Sequence, residues 1–435
     1  YGANGVTLTL DRTDANFAPA GASVNETRVA NALTRGAGFV QDAAVGALVN
    51  AAYLNTQTSS ALGRATLDRL SGEGLTGTEN AAFAAGRAFT SSIEDEMNAW
   101  RSPTAAAPNG VTLAAPQPVA PLGYAEASPL PFPVLKGPAP VAPAPQRLWR
   151  AWGGGFGGSN TIDGVASLGT ARQDSDFFGG LVGLDYQVQP NLLIGAAAGG
   201  SNADFTVPDR ATSGTVTGGH GGLYGIYGGL TGFYAEGSVS FSGFSNDVRR
   251  TAGAVGGVVG EAERASFDSF EVRVRGEVGQ RFPFNGIGYN SVGVTPFAAV
   301  EYANLSTDGF RETGAGTGLL SLAVPGHTTE SLPVFAGVRI DGLMPLGTGM
   351  VARPYVQVAY VHEFDPTRNL EANFVSLPGA SFLVEGARPA ADGAQVKAGL
   401  DVAVRPGVTV FANFDGEFSG VQQVYGGRGG LRVNF

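Results

Sequence analysis

Apolar and polar side chains alternate in short runs through most of the chain after residue 147. The clearest run is FEVRVRGEV at residues 270–278, where the apolar residues share one face of an extended strand and two Glu and two Arg share the other. Four charges on one face fit poorly in a protein core, but they fit a water-filled lumen whose outer wall touches lipid. We count twelve such runs, at about residues 148–158, 173–188, 191–203, 215–229, 232–244, 266–282, 291–304, 329–342, 349–364, 392–405, 408–420 and 423–435.

The connections between these runs alternate in length. Tight turns such as Pro406-Gly407 separate long segments at about residues 159–172, 245–265, 305–328 and 365–391. Outer-membrane barrels have this asymmetry, with short turns on the periplasmic side and long loops outside. The pattern predicts an all-β transmembrane barrel of about twelve antiparallel strands over residues 147–435. A soluble β-sandwich or propeller is the alternative.

The period changes ahead of the barrel. Residues 1–23 contain one short alternating run, whereas apolar residues recur at helical spacing through residues 24–102 and predict two or three helices. The last helix, at about residues 79–101, would be about 33 Å long, close to the hydrocarbon thickness of a membrane. Residues 103–146 form a Pro- and Ala-rich linker. This helix is the favoured occupant of the barrel lumen, and the linker is the alternative.

Charged residues on the polar faces of the predicted strands are candidates for the lumen wall, where they either solvate the interior or also hold an inserted segment. They are Asp185, Glu236, Glu271, Arg273, Arg275, Glu277 and Arg339. Six aromatic residues are either anchors of belts at the membrane interfaces, which is the favoured interpretation, or ordinary strand residues. They are Trp149, Trp152, Tyr227, Phe233, Tyr355 and Phe435.

Composition narrows the remaining classes of function. The chain has no Cys, which excludes disulfides, thiol catalysis and Cys-type zinc sites. Its formal charge of −10 argues against nucleic-acid binding. The chain contains no run of 18 or more apolar residues, so the sequence predicts no membrane-spanning helix.

The candidate catalytic residues are sparse. The three histidines, His220, His327 and His362, are far apart and lack metal-ligand spacing, so no metal or cofactor is predicted. The His362-Glu363 pair near a strand end is the only candidate for acid–base chemistry at the barrel rim. We therefore predict that the chain is not an enzyme.

Several segments, taken in order, give the chain a resemblance to the carboxy-terminal part of a monomeric bacterial autotransporter of type V secretion. Residues 1–13 resemble the end of a β-helical passenger, and residues 25–33, NETRVANAL, resemble the start of the following helical junction. Further segments resemble the junction, the first strand, a segment after the seventh strand and the closing signal. They are ATLDRLSGE at residues 65–73, with Leu70, Ser71, Gly72 and Glu73; WRAWGGGFG at 149–157; TDGFRE at 307–312; and the ending with Leu431, Val433 and Phe435.

This resemblance implies a translocator in the bacterial outer membrane that exports an attached passenger and displays it at the cell surface. The amino-terminal part would then lie outside the cell, and the chain ahead of the barrel would thread the lumen. The implied partners are outer-membrane lipid, the barrel-assembly machinery, periplasmic chaperones and the passenger itself. Some relatives cut off their passenger in an Asn-centred reaction, but no Asn-Asn pair occurs here and self-cleavage is not predicted. A porin-like or structural barrel with a plugged lumen is the alternative.

Overall fold

The computed structural model describes residues 16–38, 40, 42–101, 148–228, 232–253, 255, 260–286, 289–314, 316, 318–346 and 350–435. Twelve long strands form one antiparallel barrel, as the alternation predicts. They are β1 (Trp149–Ile162), β2 (Gln173–Gln189), β3 (Leu192–Val207), β4 (Thr212–Gly228), β5 (Gly232–Ala252), β6 (Glu261–Gly286), β7 (Tyr289–Thr307), β12 (Pro333–Gly342), β14 (Val351–Glu363), β17 (Asp392–Arg405), β18 (Val408–Ser419) and β19 (Gln422–Asn434). The predicted strand at residues 1–13, the 103–146 linker and the turn at 229–231 lie outside the described residues.

The barrel closes where the last strand pairs with the first. Ala151 lies opposite Val433 and Gly153 opposite Leu431, and the pairing of β6 with β7 completes the ring. The expectation that the last strand closes against residues 148–158 is confirmed. Because alternate side chains point to opposite faces, large apolar side chains cover the outer wall. Those that are more than 40% exposed include Phe178, Val182, Leu223, Phe241, Phe270, Val274, Val338, Val356, Leu400 and Leu431.

Two sides of the barrel differ in their connections. One side, which we call the turn side, has the short connections, such as the turn between Gln189 and Leu192. The start of β1 and the end of β19 also lie on this side, and the opposite side is the loop side. On the loop side, the longer connections join β1 to β2, β7 to β12 and β14 to β17. The prediction of a long loop at 245–265 is wrong, because β5 runs to Ala252 and β6 begins at Glu261. At the loop-side ends of β5 and β6, apolar and polar side chains continue to alternate beyond the apolar outer wall of the barrel. The side chains that point inward there pack against the elements on the loop side.

Two of the other three long segments on the loop side, at about residues 305–328 and 365–391, are also not simple loops. They contain the short strands β8 (Phe310–Arg311), β9 (Thr313–Gly314), β10 (Leu322–Val324), β11 (His327–Ser331), β15 (Asn369–Phe374) and β16 (Phe382–Glu385), while β13 (Met344–Pro345) lies on the turn side. Of these, β16, β15, β10 and β8 form a separate four-stranded sheet. β11 pairs with β7, and β9 with β6, so both extend the barrel wall.

In the part of the chain ahead of the barrel that the structure describes there are four α-helices, where the sequence predicts two or three. They are α1 (Val24–Ala37), α2 (Ala43–Thr58), α3 (Ser60–Ser71) and α4 (Gly77–Trp100), with a 3-10 turn at Glu73–Thr76 between the last two. Ser59 both ends α2 and caps α3, its hydroxyl accepting the Leu62 amide proton at 3.1 Å, so these two helices follow each other without a loop. We call α1–α3 with the four-stranded sheet the outer cap.

The outer cap has an apolar core between its helices and its sheet. Val29 and Leu33 of α1 are buried together with Leu322, Phe374 and Phe382, and the two Phe rings lie 5.4 Å apart. The Asn25 side chain also pairs with the backbone of Glu385, donating to its carbonyl at 2.7 Å and accepting from its amide at 2.9 Å. These contacts hold α1 on the loop side of the barrel.

The last helix, α4, lies inside the barrel. Its 24 residues span about 36 Å, enough to cross a hydrocarbon layer of about 30 Å. Its first turn lies near Gln173 and Phe205 on the loop side, and its last turn near Arg150 and Tyr234 on the turn side. Of the two predicted occupants of the lumen, the helix is therefore the one that the structure places there. None of the helices in the described ranges combines the length and apolarity that a membrane-spanning helix needs.

Candidate functional site

The candidate functional site is the interior of the barrel, where the strand walls meet α4. The seven charged residues proposed for the lumen wall are all buried on the inner face, each less than 8% exposed: Asp185, Glu236, Glu271, Arg273, Arg275, Glu277 and Arg339. Three of them reach α4 directly. Arg275 contacts the Glu94 carboxylate at 2.8 Å, Arg273 donates to the Phe83 carbonyl at 3.2 Å, and Arg339 donates to the Asn98 side chain.

Three consecutive carboxylates of α4 reach three different parts of the wall. Successive helical residues point about 100° apart, so each side chain meets other strands. Glu94 lies between Arg275 of β6 and Lys397 of β17, whose ammonium nitrogen is 3.1 Å away. Ion pairs therefore attach this turn of α4 to two strands of the wall, and we call this set of ion pairs the clamp.

The other two carboxylates complete this clamp. Asp95 pairs with Arg428 of β19 and accepts a hydrogen bond from the Asn413 amide at 3.1 Å. Glu96 accepts from Arg432 at 2.5 Å, and Arg150 of β1 donates to the Glu96 carbonyl at 2.9 Å. We call Glu94, Asp95 and Glu96 the carboxylate triplet.

Nearer the loop side, the helix approaches the β6 wall so closely that only glycine fits. A Cβ on Gly86 would lie 2.2 Å from a carboxylate oxygen of Glu271. That carboxylate is held by Arg273 at 2.9 Å, and Arg273 also pairs with Glu301. The charged face predicted for residues 270–278 therefore forms a paired ladder along the helix.

The end of α4 is held by cations and an aromatic ring. The Arg101 guanidinium lies 3.4 Å from the centre of the Tyr234 ring and donates to Asn98 at 2.5 Å. The Tyr234 hydroxyl in turn donates to Glu277 at 2.8 Å. Glu236 faces the same region, and neither of its carboxylate oxygens has a hydrogen-bond partner in the described part of the chain.

Two of the six residues predicted for the aromatic belts point inward instead. Trp152 is 4% exposed, and its indole nitrogen donates to the Tyr224 hydroxyl at 2.9 Å and to Asp185 at 3.2 Å. Tyr355 lines a cavity beside Asp95. Both share the inner face with a neighbouring Arg two residues away on the strand, so the period of two, rather than aromatic character, sets their direction. Trp149, Tyr227, Phe233 and Phe435 are outward and between 43% and 59% exposed.

The three histidines lie in separate places. His220 is inside the barrel between the hydroxyls of Ser201 and Ser242, at 2.7 and 2.8 Å, and its ring stacks on Phe89 of α4 at 5.1 Å. His327 contacts Glu79 of α4 at 2.9 Å, and His362 contacts Asp392 at 2.8 Å on the exposed wall. They do not converge on one site.

The segment Leu70 to Glu73 turns the chain from the outer cap into the lumen. Ser71 ends α3, and Gly72 adopts a left-handed conformation at φ 66°, where a Cβ would lie 2.3 Å from Leu322. Glu73 is 1% exposed and binds two loop-side connections, pairing with Arg210 at 2.8 Å and accepting the Ala171 amide at 3.2 Å.

Glu73 should make the attachment of this turn depend on pH. Burial raises the pKa of Glu73 to about 7, although Arg210 and the Ala171 amide oppose that rise. A carboxyl group with a raised pKa in the folded chain favours folding while it is protonated, and that contribution is lost as the pH rises through 7. We expect amides of α3 and the following turn to exchange roughly tenfold or more slowly at pH 5 than at pH 8, after correction for intrinsic rates. Hydrogen-exchange mass spectrometry measures this.

The matched variant is Glu73→Gln, which keeps the shape of the side chain and cannot titrate. Its exchange in α3 should keep only the smaller pH dependence that comes from the raised pKa of Asp68, which is caused by burial. If the variant keeps the full pH dependence of the parent chain, another group is responsible.

Sequence reasoning missed several of the wall residues that hold α4. Arg150, Lys397, Arg428 and Arg432 are all less than 10% exposed in their side chains and contact the helix. One signal was available, since Lys397 is one of only two lysines in the chain and lies on the polar face of its strand. Three adjacent carboxylates in an Ala-rich helix likewise indicate basic partners.

Comparison with known proteins places this geometry among secretion barrels. The family model described as "Autotransporter beta-domain" matches residues 151–415. Outer membrane protein B of Rickettsia rickettsii is 26% identical over 202 residues, and the match covers 45% of this chain and 12% of that protein. The matched part of the chain thus spans about an eighth of the length of this curated relative.

A solved structure shows the same fold. The translocator domain of the autotransporter NalP from Neisseria meningitidis has a TM-score of 0.53 and 15% identity, covering 67% of this chain and 90% of that structure. The β domain of the Bordetella autotransporter BrkA has a TM-score of 0.49 and 19% identity, covering 66% of this chain and all of that structure.

Proposed function

The chain belongs to the autotransporter β-domain family, and from that premise we propose that it exports an attached passenger through the outer membrane and displays it at the cell surface. In this proposal the barrel is the anchor, the turn side faces the periplasm and the loop side faces outward. Residues 1–23 belong to the end of the passenger, residues 24–102 form the helical junction, and residues 103–146 form the linker. The barrel itself comprises residues 147–435.

The direction of α4 is the observation that carries this proposal. Its carboxy-terminal end lies beside Arg150, close to the start of β1 on the turn side. Its amino-terminal end meets Gln173 on the loop side, where the side-chain amide donates to the Gly77 carbonyl at 3.0 Å. The chain therefore runs through the barrel, so the described residues ahead of Gly77 lie on the side of the outer cap.

The outer cap supports the same direction of export. Its first helix, α1, packs on the loop-side connections through Val24, whose amide donates to the Ser167 carbonyl at 3.2 Å, and through the Arg28–Glu385 pair at 3.1 Å. A folded unit of this width differs from the single helix inside the barrel, so it is the arrangement expected after the chain has passed through. Outer-membrane lipid, the assembly machinery and periplasmic chaperones are the proposed partners of this process.

A surface-accessibility experiment tests the proposed function. The chain is expressed with a signal peptide and an epitope ahead of Tyr1, and intact cells are treated with a protease that cannot enter. We expect the epitope to be removed while the barrel stays assembled, as judged by its heat-dependent mobility on gels. The control lacks residues 422–435, so its barrel cannot close and its epitope should stay inside. Protection of the epitope in cells with an assembled barrel would refute export.

A further inference from the structure

The first turn of α1 is bound by the connection between β1 and β2. The first four N–H groups of a helix have no partner inside that helix. Here the Val24 amide donates to the Ser167 carbonyl at 3.2 Å. The next amide, that of Asn25, donates to the Leu168 carbonyl at 3.0 Å. The barrel therefore supplies hydrogen bonds that the start of this helix needs.

The Asn25 side chain joins the same turn to a second connection. It donates to the Glu385 carbonyl of β16 at 2.7 Å and accepts from the Glu385 amide at 2.9 Å. Further along α1, Arg28 pairs with the Glu385 carboxylate at 3.1 Å, and Arg35 donates to the Ser381 carbonyl at 2.7 Å. Arg35 is exposed, whereas Asn25 is only 1% exposed, so water competes least with the contacts of Asn25.

Both connections end in strands of the barrel. The first joins Ile162, at the end of β1, to Gln173, at the start of β2. The second leads from Glu385 to Asp392, the first residue of β17. Because a closed barrel has no free edge, each of these strands has hydrogen-bonded neighbours on both sides. A pull on α1 is thus passed to the barrel wall at two places.

The order of the elements gives this attachment a mechanical consequence. Ahead of α1 the chain passes Phe17, whose ring lies 5.6 Å from the Tyr53 ring of α2. A pull from the amino-terminal side therefore reaches α1 before it reaches α3 and α4. If the first turn of α1 were not attached to the barrel, the same pull would act on the outer cap as a whole and, through it, on the helix in the lumen.

We propose that the first turn of α1 is a mechanical anchor, which transfers pulling force from a displayed passenger to the barrel wall and shields α4 from that force. This inference rests on the proposed display of a passenger. Asn25 is the central side chain of the anchor, because it contacts both connections. The anchor consists mainly of backbone and amide hydrogen bonds, so it is separate from the carboxylate triplet that holds α4.

Single-molecule force spectroscopy on the full chain in a supported lipid bilayer tests the anchor. The chain has no Cys, so one Cys placed ahead of Tyr1 attaches the pulling handle at a single point. Release of α1–α3 frees residues 24–76 and lengthens the tether by up to about 190 Å. The measured quantity is the time that passes under a constant force before this lengthening.

The first variant removes the amide that contacts both connections. Asn25→Ala leaves the amide and the carbonyl of Glu385 without this partner in a buried place. We expect the lifetime under force to fall at least about tenfold, because the lost hydrogen bonds are not replaced by water. The matched control is Asn31→Ala, since Asn31 is exposed on the same helix. Its lifetime should be that of the parent chain.

A second pair of variants tests the anchor from the barrel side, with α1 unchanged. Gly169 and Gly379 both have a positive φ, 81° and 91°, so alanine introduces a similar backbone strain at each. At Gly169 the new Cβ would lie 2.2 Å from the Ser23 hydroxyl oxygen, whereas at Gly379 no atom lies within 4 Å. Gly169→Ala should therefore shorten the lifetime several-fold relative to Gly379→Ala.

Three results would overturn the proposal. One is an Asn25→Ala lifetime equal to that of the parent chain. Another is an Asn31→Ala lifetime as short as that of Asn25→Ala. The third is equal lifetimes for the two glycine variants.

The force measurement does not require export, because the purified chain is refolded into the bilayer. A protected epitope in the surface-accessibility experiment would refute export and would leave these lifetimes unchanged. Equal lifetimes together with an accessible epitope would refute the anchor alone. The two failures are therefore distinguishable.

Discussion

Neutralising the carboxylate triplet, as Glu94→Gln, Asp95→Asn and Glu96→Gln together, is expected to release α4 from the barrel and open a wide pore. Each replacement keeps the side-chain shape but removes a carboxylate charge from a basic group of the wall. Arg428 loses its pair with Asp95, while Arg275 and Arg432 each lose one partner and keep Glu277 and Asp401. Breaking a buried ion pair from one side costs about 3–5 kcal/mol, and here three are broken within one helical turn. The Arg87–Glu417 pair and the apolar packing of α4 remain, and we expect the combined loss at the triplet to outweigh them and favour the emptied lumen.

Two measurements follow the release. Single-channel conductance should rise far above that of the parent chain, and trypsin should cleave at Arg87, which is shielded while the helix is in place. The matched control neutralises three exposed aspartates on the outward wall, Asp176, Asp204 and Asp247, as Asn. Its conductance and its cleavage pattern should be those of the parent. If the triplet variant also conducts like the parent, its charges do not hold the helix.

The strands and the lumen face could be predicted because both depend on short-range pattern. In residues 270–278 the alternation of Val with Glu and Arg shows both faces of β6, and the structure places these charges inside. The span of α4 follows from its length and helical spacing in the same way. Such features need no knowledge of what lies opposite in space.

The partners of α4 could not be predicted, because they are distant in sequence. Asp95 meets Arg428, and Glu96 meets Arg432, more than three hundred residues later. A period of two says that Arg428 and Arg432 share a face, but it does not say which helical residue reaches them. The direction of Trp152 illustrates a related limit, since an aromatic residue at a strand end suits either an interface belt or a hydrogen bond to a buried carboxylate.

The outer cap was missed for a different reason. Its sheet is built from strands as short as Phe310–Arg311 and Leu322–Val324, too short for alternation to distinguish them from a loop. They are stabilised by packing on α1, which precedes them by nearly three hundred residues. Only the assembled barrel brings the two parts together.

Replacing Phe435 with Asp is expected to impair assembly of the barrel in cells more severely than Asn434→Asp. Phe435 is 59% exposed on the outward face, and its amide donates to the Trp149 carbonyl at 2.9 Å. The lumen-side Asn434 lies opposite Arg150 across the closing strand pair. We propose that Leu431, Val433 and Phe435 together are the signal that the assembly machinery reads.

Energetics alone predicts only a small effect of the Phe435 change. A charged side chain near the membrane interface costs about 0–1 kcal/mol, and its backbone pairing with Trp149 is unaffected. A strong defect in cells would therefore reflect recognition of the ending rather than instability of the closed barrel.

The two contributions separate when the purified chain is refolded into lipid vesicles without any machinery. There Phe435→Asp should fold nearly as well as the parent, while in cells its heat-shifted, folded form should be largely lost. Equal amounts of the folded form for both variants in cells would disprove the signal, and an equal defect in vesicles would attribute it to stability instead.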